Sequence, residues 1–211
     1  MSRVVLFLPG DYRAIPNELA RPNVETFVAA LTTALQRLGH DPVVLDHFLT
    51  TPADAIDTLS GIQDPMIGVY AHWVYGPHTT EGVVGSDTPL LLASNFDGTW
   101  PGLVGLLNTG ACLTSLGRAH SRLWSEASDL TTDKWFMDAL DTWVRTGTLE
   151  HDAGCIHDPP APVESRVVDG VIEADAEQSV ILRLREMGCV PLRIALPSER
   201  AVGKVRQPLL P

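Results

Sequence analysis

Arg3-Val4-Val5-Leu6-Phe7-Leu8, closed by Pro9-Gly10-Asp11, decides the fold class. Five consecutive apolar residues ended by a Pro-Gly turn are too short for a buried helix. They have the pattern of a strand covered on both faces, as in a parallel sheet. Three more runs along the chain repeat that pattern: Val43-Val44-Leu45, Met66-Ile67-Gly68-Val69-Tyr70-Ala71 and Pro89-Leu90-Leu91-Leu92-Ala93-Ser94. Between the first two, Asn23 is a candidate N-cap, and Val24, Phe27, Val28, Leu31, Leu35 and Leu38 recur at helical spacing up to a stop at Gly39. The residues from Asp11 to Pro22, with Arg13 and Arg21, read as an irregular stretch. Pro52 to Leu59 is a short helix closed by Gly61. A further helix begins at Pro101, and another spans Thr131 to Arg145 with Trp135, Leu140 and Trp143 on its buried side. Strand and helix in alternation predict an α/β fold, a doubly wound parallel sheet of Rossmann-like or flavodoxin-like type, with strands near 3–8, 43–46, 66–71 and 90–94.

A first domain over residues 1–148 is expected. The composition breaks at residues 149–211. Residues 150–170 carry His151, Asp152, Gly154, Pro159, Pro160 and Pro162 with little periodicity and read as a linker. Glu173 to Met187 has the pattern of one amphipathic helix, and Val190 to Leu196 that of one more strand. The last 32 residues hold six of the 15 basic residues and only two of the 26 acidic ones. A basic, proline-bearing tail makes a poor core, so this region reads as the incomplete start of a second α/β domain.

The 211 residues are 45% hydrophobic, 19% charged and 6% aromatic, with a formal net charge of −11. That balance argues against a nucleic-acid-binding surface. No run of 18 apolar residues suggests a membrane span, and the amino terminus lacks the pattern of a signal peptide. Cys112, Cys155 and Cys189 are odd in number and without metal-ligand spacing. They fit reduced thiols, so a cytoplasmic protein is expected. Cys112 has an apolar, helical setting that suits packing better than nucleophilic work.

In an open parallel sheet, ligands sit beyond the carboxyl ends of the strands. The first loop there offers Asp11, Tyr12, Arg13 and, further on, Arg21. Arginine suits planar recognition of oxygen-rich ligands; equally, both arginines could be solvated or pair with Glu18 and Glu25. The third loop, His72-Trp73-Val74-Tyr75-Gly76-Pro77-His78-Thr79-Thr80-Glu81, is the most unusual. Trp73 and Tyr75 each combine a flat apolar face with a hydrogen-bonding edge, which matches a sugar's C–H face ringed by hydroxyls. His72, His78 and Glu81 are ligand types for a metal, but they lack helical i, i+4 spacing and any HExxH signature. The fourth loop, Ser94-Asn95-Phe96-Asp97-Gly98-Thr99-Trp100-Pro101-Gly102, resembles a capped helix N-terminus aimed at the ligand edge. Nucleotide and hydrolase readings fail: there is no GxxxxGK[ST], no GxGxxG after the first strand and no GxSxG.

At these two loops the sequence resembles the amino-terminal part of the L-fucose isomerase family, within the wider fucose and arabinose isomerase group. The resemblance rests on Trp73-Val74-Tyr75-Gly76 with Thr79, then Asn95, Gly98-Thr99, and Pro101-Gly102 leading into a Leu-rich helix. It covers roughly residues 3–147. It implies carbohydrate metabolism: interconversion of an aldose and a ketose through an enediol, with Mn2+ orienting the C1 and C2 oxygens and carboxylates moving the proton. It also implies a homo-oligomer in which this domain's Trp and an Arg line the sugar site of a neighbouring subunit. Trp73 matches that Trp, and either Arg13 or Arg21 could be the Arg; Tyr75 and Asn95 complete the expected substrate contacts. The family's Glu, Asp and His metal ligands come from later domains and have no counterpart here. An incomplete, truncated isomerase chain is therefore expected, with no catalytic or metal-binding residue of its own. The alternative is a non-catalytic Rossmann-like module that binds a sugar or a protein.

Overall fold

The computed structural model describes residues 2–96, 98–127 and 129–150, together with two short strands further on. The chain divides into two units, Met1–His151 and Asp152–Pro211.

The first unit runs β1 (Arg3–Pro9), α1 (Ala14–Arg37), β2 (Asp41–Leu49), α2 (Pro52–Leu59), β3 (Met66–Tyr70), α3 (Pro77–Val83), β4 (Leu90–Asn95), α4 (Gly102–Ser115), β5 (Ser121–Ser125), a 3-10 turn (Leu130–Thr132) and α5 (Lys134–Thr146). The five strands form one sheet in the order β2-β1-β3-β4-β5, parallel at each pairing. This is the doubly wound α/β fold, with the strand order of flavodoxin-like sheets. Both faces are covered, as the continuous apolar runs require. Val4, Leu6 and Leu8 of β1 pack with α1 and α5 residues such as Phe27, Leu31, Phe136, Leu140 and Trp143. The alternate residues, Val5 and Phe7, face the other way and pack with Ala55, Leu59, Val83, Leu106 and Leu113 of α2, α3 and α4.

Several expectations are corrected. α1 begins at Ala14, not after Asn23, so Arg13 and Arg21 do not lie on an irregular stretch. Pro22 sits inside the helix. A mid-helix proline costs roughly 3 kcal/mol, and the burial of Asn17, Ala20 and Val24 along the same face offsets it. Asn23 is no cap; its amide donates to the Ala71 carbonyl at 2.7 Å and ties α1 to the end of β3. Gly39 does mark the stop, at φ 82°, a conformation that L side chains rarely adopt. Residues 77–83, read as loop, form α3, and Ser121–Ser125, not recognised as a strand, form the edge strand β5. Trp135 is 55% exposed, not buried with Leu140 and Trp143. The helix expected to begin at Pro101 starts one residue later: Pro101 occupies the cap position of α4, with no side-chain cap bond of its own. Gly102 follows because a Cβ there would collide with the Tyr70 carbonyl oxygen.

In the second unit, Val168–Asp169 pairs antiparallel with Pro208–Leu209. The helix over 173–187 and the strand over 190–196 lie outside the described residues. Among the described residues, no helix is long and apolar enough to cross a membrane.

Candidate functional site

In the order β2-β1-β3-β4-β5, the chain leaves β1 toward one side of the sheet and β3 toward the other. The loops after these two neighbours diverge, and the crevice between them is where doubly wound sheets bind ligands. Residues 10–13 and 71–76 line it.

Asp11 is the anchor of the first loop. It is 1% exposed, and its carboxylate accepts from Arg13 Nε at 2.9 Å, Arg13 Nη2 at 2.7 Å and the Arg13 backbone N–H at 2.9 Å. The Arg13 hydrogen bonds hold the Asp11 carboxyl below the usual carboxylate range, against the opposing effect of burial. Arg13 therefore pairs with Asp11, and not with Glu18 or Glu25. Its guanidinium also lies 5.4 Å from the centre of the Tyr12 ring.

Asn17, one turn into α1, joins this loop to the next. Its Oδ1 accepts from the Asp11 backbone N–H at 2.8 Å, and its Nδ2 donates to the Asp11 carbonyl at 2.7 Å. The same Oδ1 faces His72 Nε2 at 3.0 Å. An amide oxygen can only accept, so Nε2 carries the proton and Nδ1 of His72 is an unprotonated acceptor. That Nδ1 is buried and has no hydrogen-bond partner among the described residues. Burial pushes the His72 pKa down to about 4, partly opposed by the Asp11 carboxylate. His72 is neutral at physiological pH.

Beyond His72 the second loop is aromatic. Trp73 and Tyr75 are half-buried and meet edge to face at 4.3 Å between ring centres. Tyr75 in turn lies 5.4 Å from Tyr12 and 5.4 Å from His78. His78 Nδ1 donates to the Gly10 carbonyl at 3.1 Å, closing the two loops against each other. Under α4 the structure places Val74, not Trp73, against Gly105.

The sequence-selected residues are thus only partly brought together. Arg13, Trp73 and Tyr75 share one cluster, reached through Tyr12. Arg21 sits to the side: its guanidinium stacks 5.0 Å over Phe48, whose ring meets His72 at 5.6 Å. Asn95 ends β4, one strand away from the crevice, and among the described residues no hydrogen bond or ring contact joins it to Trp73 or Tyr75. Its Oδ1 is buried without a hydrogen-bond partner among the described residues. Glu81 lies exposed on α3.

Two members of the cluster carried little sequence signal. Asn17 falls in the stretch read as irregular. Phe48 reaches His72 through a register shift between Leu6 and Leu8 of β1, where β2 advances from Val44 to Phe48. Such a bulge re-aims side chains next to functional sites. A polar residue one helical turn after a first β–α loop was the available clue to Asn17.

The donor set does not fit Mn2+. Both Asp11 oxygens are taken by Arg13, and the hydrogen bonds of His72 Nε2 to Asn17 and of His78 Nδ1 to Gly10 leave each ring a single lone-pair nitrogen. Among the described residues, no group of three His, Cys, Asp or Glu is placed to hold a metal ion. What the crevice offers is flat aromatic surface, phenol and indole hydrogen-bonding edges, and one pre-positioned guanidinium.

No family model matches the sequence, and no curated protein matches it.

Proposed function

We propose that residues 2–150 form a carbohydrate-contacting domain, the amino-terminal part of an aldose–ketose isomerase assembly similar to the L-fucose isomerases. The observation that carries this reading is the Tyr12–Tyr75–Trp73 cluster at the switch point, with Arg13 held beside it by Asp11. Stacked aromatic rings cover the C–H face of a pyranose, and their polar edges reach its hydroxyls. Arg13 is oriented before any ligand arrives, so little side-chain entropy is lost on binding.

In this reading the domain recognises the sugar and does not move its protons. Asp11 is ion-paired and cannot serve as a general base without breaking that pair. The metal and the carboxylates of an isomerase come from other domains or other subunits, and no step through Mn2+ is derived for this chain. Homo-oligomeric assembly and a cytoplasmic setting belong to the same proposal. A second reading, a protein-binding module, is favoured by Ile15 and Leu19 of α1, which are 69% and 66% exposed, and by Tyr12 in the loop before it, which is 60% exposed.

Isothermal titration of the chain with a panel of free aldoses and ketoses, with and without Mn2+, tests the proposal. Binding of a monosaccharide that needs no Mn2+ and is lost in Trp73→Ala is expected. Absence of heat for every sugar, with Trp73→Ala equally silent, refutes the carbohydrate reading.

A further inference from the structure

Two buried acceptors at the carboxyl end of the sheet have no partner. Nδ1 of His72 and Oδ1 of Asn95 are both buried and make no hydrogen bond among the described residues. The buried polar side chains around them are served. Arg13 holds the Asp11 carboxylate, Asn17 accepts from the Asp11 N–H, Ser94 donates to the Tyr70 carbonyl, and Ser125 donates to Asp133. Buried polar groups are bonded in the great majority of cases, so these two require an explanation. Among the described residues the remaining orphans, Thr109 Oγ1 and Trp143 Nε1, sit within α4 and α5 and not at a strand end.

The two residues stand together. Ser94 pairs with Tyr70 in the ladder of β3 and β4, so Asn95 follows beside Ala71, and His72 is the next residue along. Asn95 alternates in step with Leu91 and Ala93, which face α1 and α5, as Ala71 does. His72 reaches the same side through Asn17 of α1 and through Phe48. Asn23 of α1 fixes the backbone between them by donating to the Ala71 carbonyl. The His72 tautomer is fixed as well. Its Nε2–H is taken by Asn17, and the Asn17 amide cannot flip, because the Asp11 N–H and the Asp11 carbonyl clamp both of its ends.

We propose that His72 is a specificity-determining residue of the crevice: its Nδ1 accepts a hydrogen bond from one hydroxyl of the sugar, and Oδ1 of Asn95 accepts from a second. The inference rests on the carbohydrate reading and adds which property of a hydroxyl is read, its capacity to donate. Both acceptors are neutral, and the nearby Asp11 carboxylate is already paired with Arg13. A cation finds no free charge here, whereas a hydroxyl is a neutral donor. Neighbouring strands stand about 4.8 Å apart, and an O–H donor lies about 2.8 Å from its acceptor. Two hydroxyls of one monosaccharide therefore span both atoms. Phe48, half-buried and set at 79° to the His72 ring, turns aside to admit the first hydroxyl, and Asn95 is itself only partly buried. A site with waiting acceptors rejects a ligand that lacks the matching O–H far more strongly than an apolar pocket rejects a missing methylene.

Isothermal titration of the full chain with L-fucose and L-arabinose, and with derivatives in which fluorine replaces one non-anomeric hydroxyl at a time, tests the proposal. Fluorine keeps the shape of the ligand and removes the donor. Replacement at two positions should weaken binding by about tenfold or more, and elsewhere by less. In His72→Phe one of these penalties should vanish, and in Asn95→Leu the other. Asn95→Asp keeps an acceptor and should retain the second penalty. Nitrogen NMR gives a reading that a purely structural role would not move: Nδ1 of His72 should shift when sugar is added, while Nε2 keeps its proton. Circular dichroism verifies each fold; should His72→Phe misfold, the two Asn95 variants and the Nδ1 shift decide. A sugar that binds the parent with no position sensitive to fluorine overturns the inference and leaves the carbohydrate reading standing. So do penalties that persist unchanged in the folded variants. No binding of either sugar overturns both.

Discussion

Replacing Asn17 by Ala perturbs the crevice without touching its aromatic surface. Asn17 is 5% exposed and serves three groups at once: the Asp11 N–H, the Asp11 carbonyl and the His72 Nε2–H. The smaller side chain leaves all three without that partner. An unsatisfied buried polar group costs about 1–3 kcal/mol, so three cost roughly 3 kcal/mol even at the low end. Water entering the space left by the amide would recover part of this, which makes about 2–4 kcal/mol the expected loss. Urea unfolding followed by the fluorescence of the fully buried Trp143 reads the first unit directly. The same variant should lose the fixed tautomer of His72. In the parent chain, nitrogen NMR should show a protonated Nε2 and an unprotonated Nδ1. A stability change below about 0.5 kcal/mol, or a parent His72 protonated at Nδ1, would refute the hydrogen-bond assignment on which the site description rests.

Other outcomes follow from the same structure. Burial pushes the His72 pKa down to about 4 in the fold, against about 6.5 for a free imidazole. The unfolded chain therefore binds more protons between these values, and stability is lost as pH falls from about 6.5 through 4, by roughly 2–3 kcal/mol. His72→Phe should flatten that part of the stability–pH profile, and an unchanged slope would speak against a buried neutral imidazole. Arg118 is 8% exposed and donates to the Val83, Thr88 and Ala119 carbonyls, tying the end of α3 to the lead-in of β4. Arg118→Met should cost about 2–4 kcal/mol in urea titration; a neutral result would mean that water serves those carbonyls equally well. Trp73→Ala and Trp143→Ala should diverge: roughly 1–2 kcal/mol for the half-buried ring against about 3–5 for the buried one. Equal losses by thermal unfolding would place Trp73 in the core.

The parts of the fold that sequence discloses are those where one element decides its own environment. β1, β3 and β4 are buried on both faces, so each is a continuous apolar run and can be read in isolation. β5 is an edge strand with only Leu123 and Trp124 among its five residues as apolar members, too little pattern to distinguish from a turn. Pro22 has the look of a helix start, whereas the buried Asn17 and Ala20 show α1 already under way before it. Trp135 and Trp143 are both helical, yet only Trp143 shares the stripe of Phe136 and Leu140. Trp135 lies one residue, about 100°, off that stripe. The candidate site divides in the same way. Trp73, Tyr75 and Arg13 are visible because contiguous loops carry them. Phe48 meets His72, and Arg21 meets Phe48, only because a bulge in β2 and an early start of α1 bring them there, and no local pattern encodes either event.

The charges in the crevice bear on what it can accept. Arg13 and Asp11 cancel, and His72 is neutral, so the groups nearest the Trp73–Tyr75 rings contribute no net charge. A phosphorylated ligand could recruit Arg13 fully only by drawing it from Asp11. That would leave a carboxylate of 1% exposure without its partner, which opposes the exchange, although the half-exposed Arg13 makes the pair weaker than a fully buried one. Arg21 remains available, but it is solvent-exposed above Phe48, and its attraction for a phosphate is screened at physiological salt. On the carbohydrate proposal, a crevice of this charge would select by ring shape and hydroxyl position. A monosaccharide and its phosphate ester should bind with affinities within about tenfold of each other, and raising the salt should change neither by much. Titration of both at two ionic strengths decides the matter. A phosphate ester that binds a hundredfold more tightly at low salt, and loses that advantage in Arg13→Gln, would show that the Asp11–Arg13 pair opens for anions and that the neutral crevice is only its resting arrangement.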